Sequence, residues 1–496
     1  MPEEPQENRR RSFLLPSIPT FNLRKDRKYE NKTGRPRWVL HMQATFWRVL
    51  MNLGMFFHRL APPRPPHPNF YRVIDTHVSG KPGQITLYFY VPSDYETQKR
   101  LWTDRSDEGE ESGGEDRDRS KMRMSISSIG DGLRRRSRTM RRWGGYPVVI
   151  NFHGGGFTLG SPHDDARWCG TVVEENNAVV VSVDYRLAPE YPFPTAVEDG
   201  VDAVIWIWKH ADELGIDRDK IAISGFSSGG NMAFSVPMRL YDQQTGFYRD
   251  ESDIESVNEA GYAGQVTVHD PPPGSSASHL TSSTATTAVP PQTQENDQII
   301  DPNGPPPQAP SNRPQKSTTT AIERSVTVPE IQIKCLVSWY PSLDYTRTRE
   351  ERRATCVRAD QELPALFTDL FDDSYLHPPK DVALDSPYLS PGVAPTSLLR
   401  NAIPEEIIMH TCEWDMLLDE GREFYERLTA EDVGKHVNYT MVEGVPHGWD
   451  KAPNPWKPTP GVREHYLKAC REMRRIMGER RNSEMPEAQP RKSIVR

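Results

Sequence analysis

Apolar positions along the chain fall into bursts with two different periods. Short, mostly buried-looking runs read as strands at about 71–79, 84–92 (QITLYFYVP), YPVVINFHGGGF (146–157) and AVVVSVDYRLAPEYPFP (178–194). Further runs follow at KIAISGFSSGGN (220–231), IKCLVSWYPSLDY (333–345), IIMHTCEWD (407–415) and HVNYTMVEGVPHG (436–448). Between them the spacing changes. Val197, Val201, Val204, Ile205 and Trp208 recur at helical intervals within 195–213, MAFSVPMRL leaves 231 as a helix, and a charged amphipathic helix closes the pattern at 462–480. Strands alternating with helices predict an α/β fold, a parallel sheet with helices on both faces.

Several stretches break the alternation. Residues 1–36 and 481–496 are polar and charged, as flexible tails are. Residues 103–143 begin acidic (DEGEESGGED) and end basic (RRRSRTMRR) with almost no large apolar side chains, and 242–329 is rich in Ser, Thr, Pro and Gln without periodicity. Both read as disordered insertions. The ordered chain is then 69–102 (first strands), 144–241 and 330–480, with Pro-broken aromatic and Leu-bearing pieces over 350–400 that suit a cap. Residues 37–60, RWVLHMQATFWRVLMNLGMFFHRL, are the most apolar stretch, and APPRPPHP ends them. Arg48 at their centre would cost at least a few kcal/mol in a bilayer, which argues against a membrane span. Two readings of 37–68 stay open: an amphipathic helix in a membrane interface, giving peripheral membrane contact through 37–60, or a helix docked over the body of the protein.

Composition narrows the classes. The chain has 496 residues, enough for a large core, but only 35% are hydrophobic and 45 are proline, so part of it is expected to stay unpacked. A net charge of −8 spread along the sequence gives no case for nucleic-acid binding. The five cysteines (Cys169, Cys335, Cys356, Cys412, Cys470) are odd in number, and none has metal or redox spacing. With an N-terminus, MPEEPQENRRRSF, that lacks an apolar signal core, this predicts reduced thiols and an intracellular, cytoplasmic protein, membrane-associated if 37–60 touches lipid. The sequons at Asn31 and Asn438 then carry little weight.

Chemistry enters at 220–231. An apolar strand running into Gly225-Phe226-Ser227-Ser228-Gly229 and out into a helix is the form of a nucleophile elbow, G-x-S-x-G. Glycines are needed two before and two after the serine because the turn packs too tightly for a Cβ. Upstream, His153-Gly154-Gly155-Gly156 ends a strand and offers bare backbone N–H groups. With the N–H of Ser228 these can form an oxyanion hole. Downstream come an acid, Asp415 or Asp419, and His447 after the last strand, giving the chain order Ser, Asp, His.

The motifs HGGGF (153–157), VDYRLAPE (183–190), ISGFSSGG (223–230), EWDMLLDEG (413–421) and GVPHGW (444–449) resemble the hormone-sensitive-lipase-like branch of the α/β-hydrolases, which holds many carboxylesterases. The resemblance covers about 145–230 and 333–475. It implies a mostly parallel eight-stranded sheet with a helical cap. It also implies Ser227 as nucleophile, His447 as general base, Asp415 rather than Asp419 as the acid, and an oxyanion hole of Gly154, Gly155, Gly156 and Ser228, with no metal and no cofactor. Arg186 and Glu190 are expected to brace the fold. Phe226 stands where the family commonly has an acidic residue, Ser228 where it has Ala, and Met416 where the acid motif has Pro. Phe226 thus removes a charge beside the nucleophile. The function so implied is serine hydrolysis of small apolar carboxylic esters through an acyl-enzyme. The alternatives are a catalytically silent ligand-binding protein on the same scaffold, or a lactone or amide hydrolase with the same triad. Ser125, Ser127, Ser128 and Arg134-Arg135-Arg136-Ser137 resemble sites of basophilic kinases, making a kinase acting on 125–139 a candidate partner.

Overall fold

A computed structural model of the chain describes residues 34–100, 145–247, 328–376, 382–457 and 459–478. The tails, most of both insertions and the serines at 125–139 lie outside the described residues. Eight strands form one sheet: β1 (Phe70–Thr76), β2 (Gly83–Tyr90), β3 (Tyr146–Phe152), β4 (Val179–Asp184), β5 (Ile216–Phe226), β6 (Ile333–Trp339), β7 (Glu406–Trp414) and β8 (His436–Pro446). Their spatial order is β1-β2-β4-β3-β5-β6-β7-β8. The first two pairings, β1 with β2 and β2 with β4, are antiparallel, and every later one is parallel.

The period-two alternation explains why the sheet is covered on both sides. Val148, Ile150 and Phe152 of β3, Val179, Val181 and Val183 of β4, and Ile221 and Ile223 of β5 enter one core. Val149, Val180 and Ala222 enter the other. The first core is closed by α3 (Thr195–Lys209) and α5 (Ser228–Thr245), and the second by α2 (Ala166–Asn176) and α10 (Val462–Met477). A short α4 (Ala211–Leu214) leads into β5. Between β6 and β7 lie α6 (Arg349–Ala354), α7 (Ala365–Tyr375) and α8 (Thr396–Ala402), and α9 (Leu418–Thr429) joins β7 to β8.

Two expectations shift. The second insertion does not begin at 242. Helix α5 runs through Thr245, where Gly246 takes the left-handed conformation (φ 70°) and donates its N–H to the Asp242 carbonyl at 2.7 Å. Asp242 is buried and accepts from Arg239 at 2.6 Å, so this polar end of the helix looks like linker in sequence yet is anchored. Arg48 acts as an anchor on α1 (Arg37–Leu60). It donates to the carbonyls of Thr158 (2.9 Å) and Ala188 (2.8 Å) and pairs with Glu190 at 2.7 Å. Arg186 likewise braces, in a buried pair with Asp199 at 2.6 Å.

On β7, His410 lies in the second face of the sheet, stacked on Trp339 with ring centroids 4.0 Å apart. Neither of its ring nitrogens has a hydrogen-bond partner among the described residues. Burial therefore pushes its pKa down from 6.5 to about 3. Between those values the unfolded chain carries a proton that the folded one refuses, so stability falls as pH drops through this window. His410→Phe keeps the stacked ring and removes the titration. Denaturant unfolding at pH 7 and pH 4.5 is expected to show that the variant loses less stability on acidification than the parent, by about 2–3 kcal/mol.

Candidate active site

The elbow is a tight turn. Strand β5 ends at Phe226 and α5 begins at Ser228, leaving Ser227 between them at φ 54°, ψ −114°. Its N–H is held by the Trp339 carbonyl of β6 at 2.8 Å. A Cβ on Gly225 would sit 2.0 Å from the Gly229 carbonyl oxygen, and one on Gly229 would sit 2.0 Å from that of Phe152. Those two glycines are required by contact, and they let the strained serine project its hydroxyl from the end of the sheet.

Ser227, Asp415 and His447 each follow the last residue of a strand, β5, β7 and β8, which with β6 are four consecutive strands of the sheet. The Ser227 Oγ lies 2.8 Å from His447 Nε2, and His447 Nδ1 lies 2.6 Å from Asp415 Oδ2. The other Asp415 oxygen accepts the Leu417 N–H at 3.0 Å, so both lone-pair sides of the carboxylate are engaged. Asp415 and His447 are nearly buried. Asp419 is in the first turn of α9, a third exposed, and faces Arg422 at 3.5 Å. The structure thus brings Asp415, and not Asp419, to the histidine.

Gly154, Gly155, Gly156 and Ser228 line the same cavity of about 240 Å³ as Ser227 and His447. Among the described residues, no backbone hydrogen bond outside helix and strand ladders uses the N–H of Gly155, Gly156 or Ser228. The glycine loop is held from behind. The Tyr185 hydroxyl donates to the His153 carbonyl at 2.8 Å, and its ring stacks on the His153 imidazole at 4.3 Å. The apolar lining is Met51 of α1 and Phe367 and Phe371 of α7, and the Phe371 ring packs on Gly156, where an added Cβ would meet it at 2.3 Å. Trp47 meets Phe367 edge-on at 4.7 Å, joining α1 to the 350–400 segment over the cavity.

One group at the site was not singled out by sequence reasoning. Lys451 lines the cavity wall four residues after His447, its Nζ 2.6 Å from Asp450, 3.0 Å from Asp165 and 3.6 Å above the Phe226 ring. Burial lowers its pKa, and the two carboxylates more than restore it, so the ammonium titrates above an ordinary lysine. Asp450 also accepts from Tyr340 (2.5 Å) and Tyr466, and Asp165 accepts from Asn151 at 2.8 Å. The Phe226 ring itself is buried and stacked on Trp339. Lys451 and its two aspartates thus tie the turn after His447 to the Phe226 ring and to Asp165 at the start of α2. No signal in the sequence joins residues 165, 340, 451 and 466. Among the described residues no group of three His, Cys, Asp or Glu is placed to hold a metal ion.

A family described by the alpha/beta hydrolase fold matches residues 149–298 and 317–451, more than half of the chain. The chain belongs to that family. Its α/β-hydrolase sheet is also found in solved esterases. One from Pyrobaculum calidifontis has a TM-score of 0.50 and 22% identity, over 87% of this chain and 93% of that one. A thermostable esterase from Pseudomonas putida has a TM-score of 0.53 and 18% identity, over 90% and 92%. In sequence the chain is similar to esterase LipI of Mycobacterium tuberculosis, 34% identical over 152 residues, which is 25% of this chain and 48% of that protein. An AB hydrolase superfamily protein of Schizosaccharomyces pombe is 47% identical over 90 residues, 18% of this chain and 26% of that protein. The chain spans less than half the length of these two curated relatives. No helix among the described residues is long and apolar enough to cross a membrane.

Proposed function

We propose that this α/β-hydrolase cleaves carboxylic esters through a serine acyl-enzyme. The observation that carries the reading is the unbroken relay of Ser227 Oγ, His447 and Asp415, with contacts of 2.8 and 2.6 Å at the floor of a cavity rimmed by unengaged N–H groups. Asp415 holds the Nδ1–H tautomer, leaving Nε2 free to accept the Ser227 proton. The Ser227 oxygen attacks the ester carbonyl as His447 takes its proton, and the negative oxygen that forms is met by the N–H groups of the glycine loop and Ser228. Collapse expels the alcohol, which leaves with the proton from His447. Water, deprotonated by the same Nε2, then attacks the acyl-serine and releases the acid. Met51, Phe367 and Phe371 favour an apolar substrate by burying its hydrocarbon.

The two alternatives part from this reading in one experiment. Full-length protein is treated with a fluorophosphonate probe, digested and mapped, alongside a series of p-nitrophenyl esters of graded acyl length and a p-nitroanilide. One adduct on Ser227, with ester turnover lost in step, is the expected result. Absence of labelling would favour a silent binding protein, and faster turnover of the anilide than of every ester would favour an amide hydrolase.

A further inference from the structure

Helix α1 exposes an apolar face that the rest of the described structure leaves uncovered. Trp38, Met42, Phe46, Val49, Leu50, Leu53, Phe56, Phe57 and Leu60 are each between 36 and 64% exposed. At 100° per residue all nine fall within an arc of about 120°, along about 33 Å of helix. The opposite side is fastened to the protein. Leu40, Ala44, Met55 and His58 are buried, Arg37 donates to the Pro189 carbonyl at 2.9 Å, and Arg48 makes the contacts with Thr158, Ala188 and Glu190 described above. The exposed face is therefore held outward by its own anchoring. The single charge that argued against lipid in the sequence points away from it.

Charge selects the occupant. From residue 34 to residue 74 there is no Asp or Glu, and besides Arg37 and Arg48, which are turned to the body of the protein, the segment carries Arg35, Arg59, Arg64 and Arg72. A second copy of this helix would bring like charges together. An anionic lipid surface would meet the arginines with headgroups and the aromatic face with acyl chains. Trp38 opens the exposed face, and a second exposed tryptophan, Trp456 at 83%, lies on a loop clasped to the far end of the helix through His58 and the Ala452 carbonyl at 3.0 Å. The same helix lines the cavity through Met51 and joins its wall through Trp47.

We propose that α1 docks the protein on an anionic bilayer, with the cavity that Met51 lines on the inner side of the same helix, so that the substrates are esters partitioned in the membrane rather than free in water. The second half of that statement rests on the ester-hydrolase reading, and the first does not. The test is flotation of the full chain with phosphatidylcholine vesicles, with and without phosphatidylserine, together with turnover of a short water-soluble ester. The parent protein is expected to float with the phosphatidylserine vesicles, more strongly at low salt. The triple variant Met42→Glu, Val49→Glu, Leu53→Glu is expected to lose about tenfold or more of that binding with turnover of the soluble ester unchanged. The corresponding glutamine triple, which adds no charge, keeps the test valid if the glutamate triple fails to fold, and it too should lose binding. Ser227→Ala should float like the parent, so loss of catalysis and loss of docking are read separately. Equal flotation of parent and triple variants would overturn the proposal. So would a parent that does not float but sediments as a dimer that the triple variant breaks, which assigns the face to a second copy. A parent that neither floats nor dimerises, with this face crosslinked to another segment of its own chain, would overturn it as well.

Discussion

Ser227→Ala should lower kcat for a short p-nitrophenyl ester by about 10⁴-fold or more while leaving the fold intact. The oxygen removed is the one 2.8 Å from His447 Nε2, and among the described residues no other hydroxyl makes that contact. What remains is binding and the N–H groups of the glycine loop, which alone sustain only a small fraction of the rate in Ser-His-Asp enzymes. The same position offers a stability measurement that a merely catalytic account would not foresee. Ser227 holds φ 54°, ψ −114°, a conformation that costs a side-chain-bearing residue about 1–3 kcal/mol. Alanine keeps that strain, so Ser227→Ala should unfold with the parent. Glycine relieves it at an unfolded-state cost of about 0.5–1 kcal/mol, so Ser227→Gly should be as stable as Ser227→Ala or more stable by about 1–2 kcal/mol. A glycine variant clearly less stable than the alanine one in thermal unfolding would contradict the strained turn. Residual ester turnover near the parental rate in Ser227→Ala would reject Ser227 as nucleophile.

The parts of the site legible in sequence are those where backbone geometry dictates residue type. Gly225 and Gly229 had to be glycine because a Cβ would meet a carbonyl oxygen at 2.0 Å, and Gly155 because it adopts φ 122° against the Leu159 carbonyl. Strand ends were legible for a similar reason. The sheet's period-two pattern stops where the chain turns, and Ser227, Asp415 and His447 each follow such a stop. What stayed hidden depends on meetings between distant segments. Lys451 looks like any charged residue after a strand, and its meaning comes from Asp165 and Phe226, which lie hundreds of residues earlier. Arg48 is a second instance. Read alone it is a penalty inside an apolar helix, and only its contacts with the loop at Thr158 and the turn at Glu190 turn it into a tether. Phe226 is a third, since a residue beside the nucleophile in sequence has its ring in the core behind it.

Asp415→Asn is expected to cost about 10⁴-fold in kcat, and Asp419→Asn almost nothing. The two residues are four positions apart and equally acidic in sequence, so the contrast isolates geometry. Asp415 Oδ2 sits 2.6 Å from His447 Nδ1 while Oδ1 takes the Leu417 N–H, which leaves the carboxylate little freedom to rotate. An amide in that place keeps one oxygen for Leu417 and turns its NH₂ toward the imidazole. Nδ1 must then accept rather than donate, the proton moves to Nε2, and the histidine presents a donor to the Ser227 hydroxyl it should deprotonate. That tautomer error, with the geometry preserved, is what costs about 10⁴-fold in a Ser-His-Asp protease. Asp419 reaches Arg422 on the solvent side of α9, an exposed pair worth less than about 1 kcal/mol to stability and out of reach of the imidazole. Steady-state kinetics on the two variants with a soluble ester decide the assignment, and a loss at Asp419 matching that at Asp415 would overturn it. Raising the pH should rescue Asp415→Asn only weakly, because the neutral ring, though kept in place, already carries its proton on the wrong nitrogen.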